Sequence, residues 1–68
     1  MTAQIQREIE NLQEYKDMLS EILNKDIIDI QVVKNDKGIW EVLYFWPHFW
    51  WFRNRSRMDY ETFKRLKD

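Results

Sequence analysis

Ile27-Ile28-Asp29-Ile30-Gln31-Val32-Val33-Lys34-Asn35-Asp36-Lys37-Gly38-Ile39-Trp40-Glu41-Val42-Leu43-Tyr44-Phe45-Trp46 is the stretch on which the fold turns. Its centre, Asn35-Asp36-Lys37-Gly38, carries the residues of a type I turn that closes in a G1 bulge. Asn opens the turn, Asp and Lys fill it, and the only glycine of the chain takes the left-handed position. The runs on either side are short and rich in β-branched and aromatic residues, the composition of strands. With Asn35 facing Ile39, Val32 faces Val42, Ile30 faces Tyr44 and Ile28 faces Trp46. One face of the hairpin then reads Ile28, Ile30, Val32, Trp40, Val42, Tyr44 and Trp46, all apolar. The other reads Asp29, Gln31, Val33, Glu41, Leu43 and Phe45, polar near the turn and apolar at the far end. Turn chemistry and alternation agree, which predicts strands over 27–33 and 39–46.

Upstream of the hairpin, Ile5, Ile9, Leu12, Tyr15, Leu19 and Ile22 recur at helical spacing and predict one amphipathic helix over 3–23. Thr2 is its expected N-cap, and Asn24-Lys25-Asp26 ends it. Leu12 and Leu19 fall on the core side. Glu10, Glu14, Asp17 and Glu21 fall opposite, as an acidic and solvated back.

Downstream, Pro47-His48 breaks the second strand, because proline cannot donate to a ladder. Phe49 to Arg53 then reads as a third strand returning beside the second. Ser56 or Asp59 is expected to cap a final helix over 59–67 with Tyr60, Phe63 and Leu66 on one side. Asp59 and Glu61 lie at its start and Lys64, Arg65 and Lys67 at its end, as the helix dipole favours. The expected fold is α+β, in the order α-β-β-β-α. It is a single domain over 1–68, a three-stranded antiparallel meander with helices packed mainly on one face.

Composition narrows the function classes. A chain of 68 residues has one small core, and the absence of cysteine rules out disulfides as its reinforcement. A single histidine with no cysteine leaves no structural zinc site of the usual kind. What remains is a large apolar load, supplied by four Trp, four Phe and three Tyr, or self-association. The absence of cysteine suits a reducing, cytoplasmic setting. Residues 1–7 lack the apolar core of an export signal, and 42–52 falls well short of the roughly 20 residues of a transmembrane helix.

The net charge of −1 hides an asymmetry. Residues 1–31 hold seven acids and three bases, whereas 32–68 hold five acids and eight bases.

No catalytic residues, metal ligands or cofactor are expected. Ser20, Ser56, Thr2 and Thr62 have no evident activating base. Ser20 reads as a helix-surface residue and Ser56 as a cap or loop residue. The acidic helix face offers no pocket to raise a carboxyl pKa, and one glycine cannot build a phosphate loop. His48 reads as a turn residue with a partly buried ring.

The segment that asks for a function is Tyr44 to Arg57. Seven of the nine residues from Tyr44 to Phe52 are aromatic, more than one face of a small sheet can hide. Alternation sends Tyr44, Trp46, Phe49 and Trp51 one way. Leu43, Phe45, Trp50 and Phe52 go the other, to an apolar patch bordered by Arg53, Arg55 and Arg57. Such patches on small proteins mark partners, and Trp, Tyr and Arg are the residues that anchor interfaces. The expected function is a small non-enzymatic interaction protein, an adaptor, inhibitor or accessory subunit. It would bind a protein partner or a second copy through Leu43, Phe45, Trp50, Phe52, Arg53, Arg55 and Arg57, with Trp50 and Arg53 as anchors. The alternative is a nucleic-acid-binding module that stacks bases on the rings and meets phosphates with the arginines. The slightly acidic total charge weighs against it.

Overall fold

The hairpin forms in the register that the sequence predicts. The computed structural model describes residues 1–48 and 52–68. Its elements are α1 (Ala3–Asn11), α2 (Gln13–Leu23), β1 (Asp29–Lys34), β2 (Trp40–Pro47), β3 (Arg53–Asp59) and α3 (Tyr60–Lys67). Val32 pairs with Val42 and Ile30 with Tyr44. The Asn35 side chain organises the turn, accepting from the N–H groups of Lys37 and Ile39 at 2.9 and 3.0 Å. The Gly38 N–H donates to the Asn35 carbonyl at 2.9 Å. Gly38 itself has φ +78°.

A Cβ at Gly38 would meet only the Lys34 side chain, at an ordinary 3.8 Å, so a substitution there is opposed by backbone conformation and not by a clash. Gly38→Val is therefore expected to destabilise the domain by about 1–2 kcal/mol, the cost of a left-handed β-branched residue. Gly38→Asn should cost less, because asparagine tolerates that region. Chemical denaturation of both variants checks the order.

Three antiparallel strands form one sheet in the order β1-β2-β3, a meander. All three helices send their buried side chains to the same side of it. Ile9 of α1, Leu19 of α2 and Phe63 of α3 pack with Ile27 on Ile30, Val32, Val42 and Tyr44. Trp40, Trp46 and Met58 border this cluster. Ile28, expected on the same face, lies just before β1 and is exposed.

The predicted single helix is two helices. Leu12 takes extended dihedrals (φ −75°, ψ 126°) and serves as C-cap of α1 and N-cap of α2. At this corner Asn11 turns its side-chain amide back onto the Arg7 carbonyl, and Leu12 N–H still reaches Glu8. The break puts the two halves out of phase, so Leu12 is 41% exposed while Ile9 and Leu19 are buried. Ile5 and Ile22, also on the predicted stripe, are exposed. Thr2 caps α1 by accepting from the Ile5 N–H, and Asn24 ends α2 in the left-handed region at φ 53°. Ser20, read as a surface residue, is half-buried. Its hydroxyl donates to the Lys16 carbonyl and accepts from Ile27 N–H, pinning the chain's entry to the sheet.

The third strand is also displaced. The prediction over 49–53 falls largely outside the described residues, and β3 is Arg53–Asp59. Its core-facing positions are Asn54, Ser56 and Met58, opposite Trp46, Tyr44 and Val42. A strand with so few apolar residues gives no hydrophobic alternation to find. Ser56 is thus a strand residue and not a cap. Asp59 caps α3, accepting from the Thr62 N–H at 3.0 Å. Hydrogen bonding to Thr62, first by its side chain and then by its backbone, holds the Asp59 carboxyl below its usual pKa. Among the described residues, no helix is long and apolar enough to cross a membrane.

Candidate interaction surface

Register decides which side chains share the face opposite the helices. Arg53 pairs with Pro47, Arg55 with Phe45 and Arg57 with Leu43. On the other side of β2, Asp29 pairs with Phe45, Gln31 with Leu43 and Val33 with Glu41. Successive odd positions of a strand point the same way, so the three arginines form a row along β3, about 6.7 Å apart. Leu43 and Phe45 lie beside them on β2, and Asp29, Gln31 and Val33 lie on β1. All three arginines are exposed, and Leu43 is half-buried.

The predicted patch is present only in part. Phe45, expected to be open, is 7% exposed although it stands outside the helical core. The Arg53 guanidinium lies over its ring, 5.0 Å from the centroid, and continues across β2 to Asp29, where Nη1 and Oδ2 are 3.4 Å apart. A cation over an aromatic face is attracted by the ring quadrupole, and here it also shields the ring from water. Arg53, predicted to be an anchor for a partner, is thus engaged within the chain. Phe52 is 55% exposed, whereas Trp50, the other predicted anchor, lies outside the described residues with Phe49 and Trp51. His48, expected to be partly buried, is exposed, and its Nδ1 sits 3.2 Å from the Asn54 amide.

Arg57 faces Glu41 at 3.8 Å, and the Arg57 side chain is 71% exposed. The Arg53–Asp29 pair is exposed on both sides and worth about 0–1 kcal/mol, whereas Arg57 meets a Glu41 side chain only 16% exposed. Arg55, between them, has no ion pair among the described residues. A surface depression lined by Leu43, Arg55, Ser56 and Arg57 opens at this place. Among the described residues there is no group of three or more His, Asp or Glu side chains that could hold a metal ion.

The two edges of the sheet are treated differently. At β1, the Glu10 carboxylate accepts from the Val32 N–H at 2.7 Å, and the Gln6 amide donates to the Val32 carbonyl at 2.8 Å. Helix α1 thereby takes up both outward backbone groups of Val32, in the middle of the first edge strand. The helical period places Glu10 on the solvated acidic back. It is half-buried because the break at Leu12 turns α1 toward β1, while Glu14, Asp17 and Glu21 remain exposed. At β3 the alternation is set by the His48 N–H, which donates to Phe52 at 3.0 Å. Counting in twos along the antiparallel pair, Asn54, Ser56 and Met58 exchange hydrogen bonds with β2. The backbone groups of Arg53, Arg55 and Arg57 therefore point away from the sheet.

Sequence reasoning missed the edge-closing role of Gln6 and Glu10, and nothing in a helical period marks it. The recurrence of the arginines at every second residue is a strand period, and the expected strand over 49–53 makes no use of it. No protein-family model, curated protein or solved structure matches this chain.

Proposed function

We propose that this chain is a non-enzymatic interaction protein that binds a protein partner through the open face of its sheet on the β3 side. Its cysteine-free sequence suits the cytoplasm as the place of action. One observation carries the reading: Arg53, Arg55 and Arg57 stand in a row beside Leu43 and Phe45, on the face from which the helices' buried side chains turn away. Arginine beside apolar surface is the composition of interface anchors. Arg55 is the centre of the surface, since Arg53 is occupied with Phe45 and Asp29.

Nucleic acid is less well served. A phosphate backbone lying over this face would approach Asp29 and Glu41, the carboxylates that Arg53 and Arg57 already meet.

The test compares the wild-type chain with a variant carrying Arg55→Glu and Arg57→Gln, after thermal unfolding has shown both to be folded. From native lysate, the wild type is expected to retain a stoichiometric protein that the variant loses. Identical retention by both would contradict the reading. Binding of random oligonucleotides that falls steeply with salt would replace it with the nucleic-acid one. Sedimentation of the wild type identifies the partner as a second copy if the chain is dimeric and the variant monomeric.

A further inference from the structure

An open strand edge invites a strand. Unpaired N–H and C=O groups along an edge are a template for another chain, and folds usually close or blunt them. This fold blocks the middle of the β1 edge, at Val32, with the side chains of Gln6 and Glu10. On β3 the groups of Arg53, Arg55 and Arg57 remain directed outward. We propose that β3 is a strand-addition site, and that its occupant is an extended protein segment bearing a carboxylate at every second residue. This rests on the interaction reading above and names the class of partner.

Charge and register select that occupant. A segment added to β3 exchanges backbone hydrogen bonds with the arginines, so the residues directly opposite them share the open face. Acidic side chains there stand beside the row of guanidinium groups, about 5 Å away across the new ladder. Asp59 ends the row on β3, where its carboxylate caps α3. Glu41 on β2 lies one strand further off and Asp29 on β1 two. A carboxylate directly opposite Arg53, Arg55 or Arg57 therefore meets a positive charge first. The intervening residues of the segment fall on the core side, next to Asn54, Ser56 and Met58, where small or β-branched side chains fit. A second copy of β3 fits poorly. Antiparallel pairing centred on Arg55 sets Arg55 against Arg55 and Arg53 against Arg57, and like charges directly opposite are destabilising.

The probe is the capped peptide Thr-Glu-Val-Glu-Val-Glu-Thr, titrated into the isotope-labelled 68-residue chain. The controls are a peptide of the same composition with its three glutamates consecutive, and the alternating peptide with N-methyl groups blocking its backbone donors. The alternating peptide is expected to bind, and at saturation to slow exchange of the Arg55 and Arg57 amide protons. Asn54, Ser56 and Met58, already bonded to β2, should change little. Arg55→Glu should weaken binding by about tenfold or more, equivalent to about 1.4 kcal/mol, and Arg55→Lys should retain most of it. Equal binding by the consecutive-glutamate or N-methylated peptide, with no amide protection, would overturn strand addition while leaving a protein-binding face intact. Binding by none of the peptides would also overturn it, reducing the three arginines to guards of the edge. Loss of the interaction reading itself would appear separately, as identical lysate partners for wild type and variant.

Discussion

Phe63→Ala is expected to destabilise the domain by about 3–5 kcal/mol, the range for truncating a fully buried phenylalanine. Phe63 is 0% exposed and is the largest fully buried side chain among the described residues. Its ring meets Tyr15 of α2 with centroids 5.6 Å apart, and it packs in the cluster that contains Val42 and Tyr44. One residue thus joins α3 to both the sheet and α2. A domain of this length has a total stability of roughly 3–10 kcal/mol, so the variant should be largely or wholly unfolded. Loss of a cooperative thermal transition checks it. A well-folded Phe63→Ala protein with a melting temperature near the wild type would mean that α3 is not part of the core.

The second large effect separates the two leucines that a single helix would have treated alike. Leu19→Ala should cost about 2–5 kcal/mol, as a core leucine does. Leu12→Ala should stay within about 1 kcal/mol, because a side chain already in water leaves no cavity. The difference follows from their exposures of 0% and 41%. Urea titration of the pair measures it directly. Comparable losses would restore one continuous helix over 3–23 and refute the corner at Leu12.

The parts of the fold legible in the sequence were those fixed by local chemistry. Asn35 to Gly38 specified its turn, and the turn specified the register through Val32–Val42 and Ile30–Tyr44. Thr2 and Asp59 announced their helices by capping chemistry. The failures share a cause, which is that tertiary contacts overrode the local pattern. A helical period runs without interruption through Leu12. The corner there is tied to α1 reaching the β1 edge with Gln6 and Glu10, a contact between residues more than twenty positions apart. The aromatic run drew the third strand toward 49–53, whereas β3 is built from Arg53 to Asp59, polar on its core side except for Met58. Most residues of the proposed binding surface are legible in the sequence, but the contacts among them are not. Arg53 over Phe45 converts two expected partner contacts into one intramolecular contact, and leaves Arg55 as the uncommitted charge.

The claim on which the functional reading rests is that the fold blocks its β1 edge at Val32 and leaves its β3 edge open. Amide hydrogen exchange on the free chain reads it residue by residue. Val32, bonded to Glu10, should exchange slowly, together with Ser56 and Met58, which pair with β2. Arg55 and Arg57 should exchange near the rates of unprotected amides. Slow exchange at Arg55 and Arg57 in a chain shown by sedimentation to be monomeric would mean that β3 is already covered, and would contradict the claim.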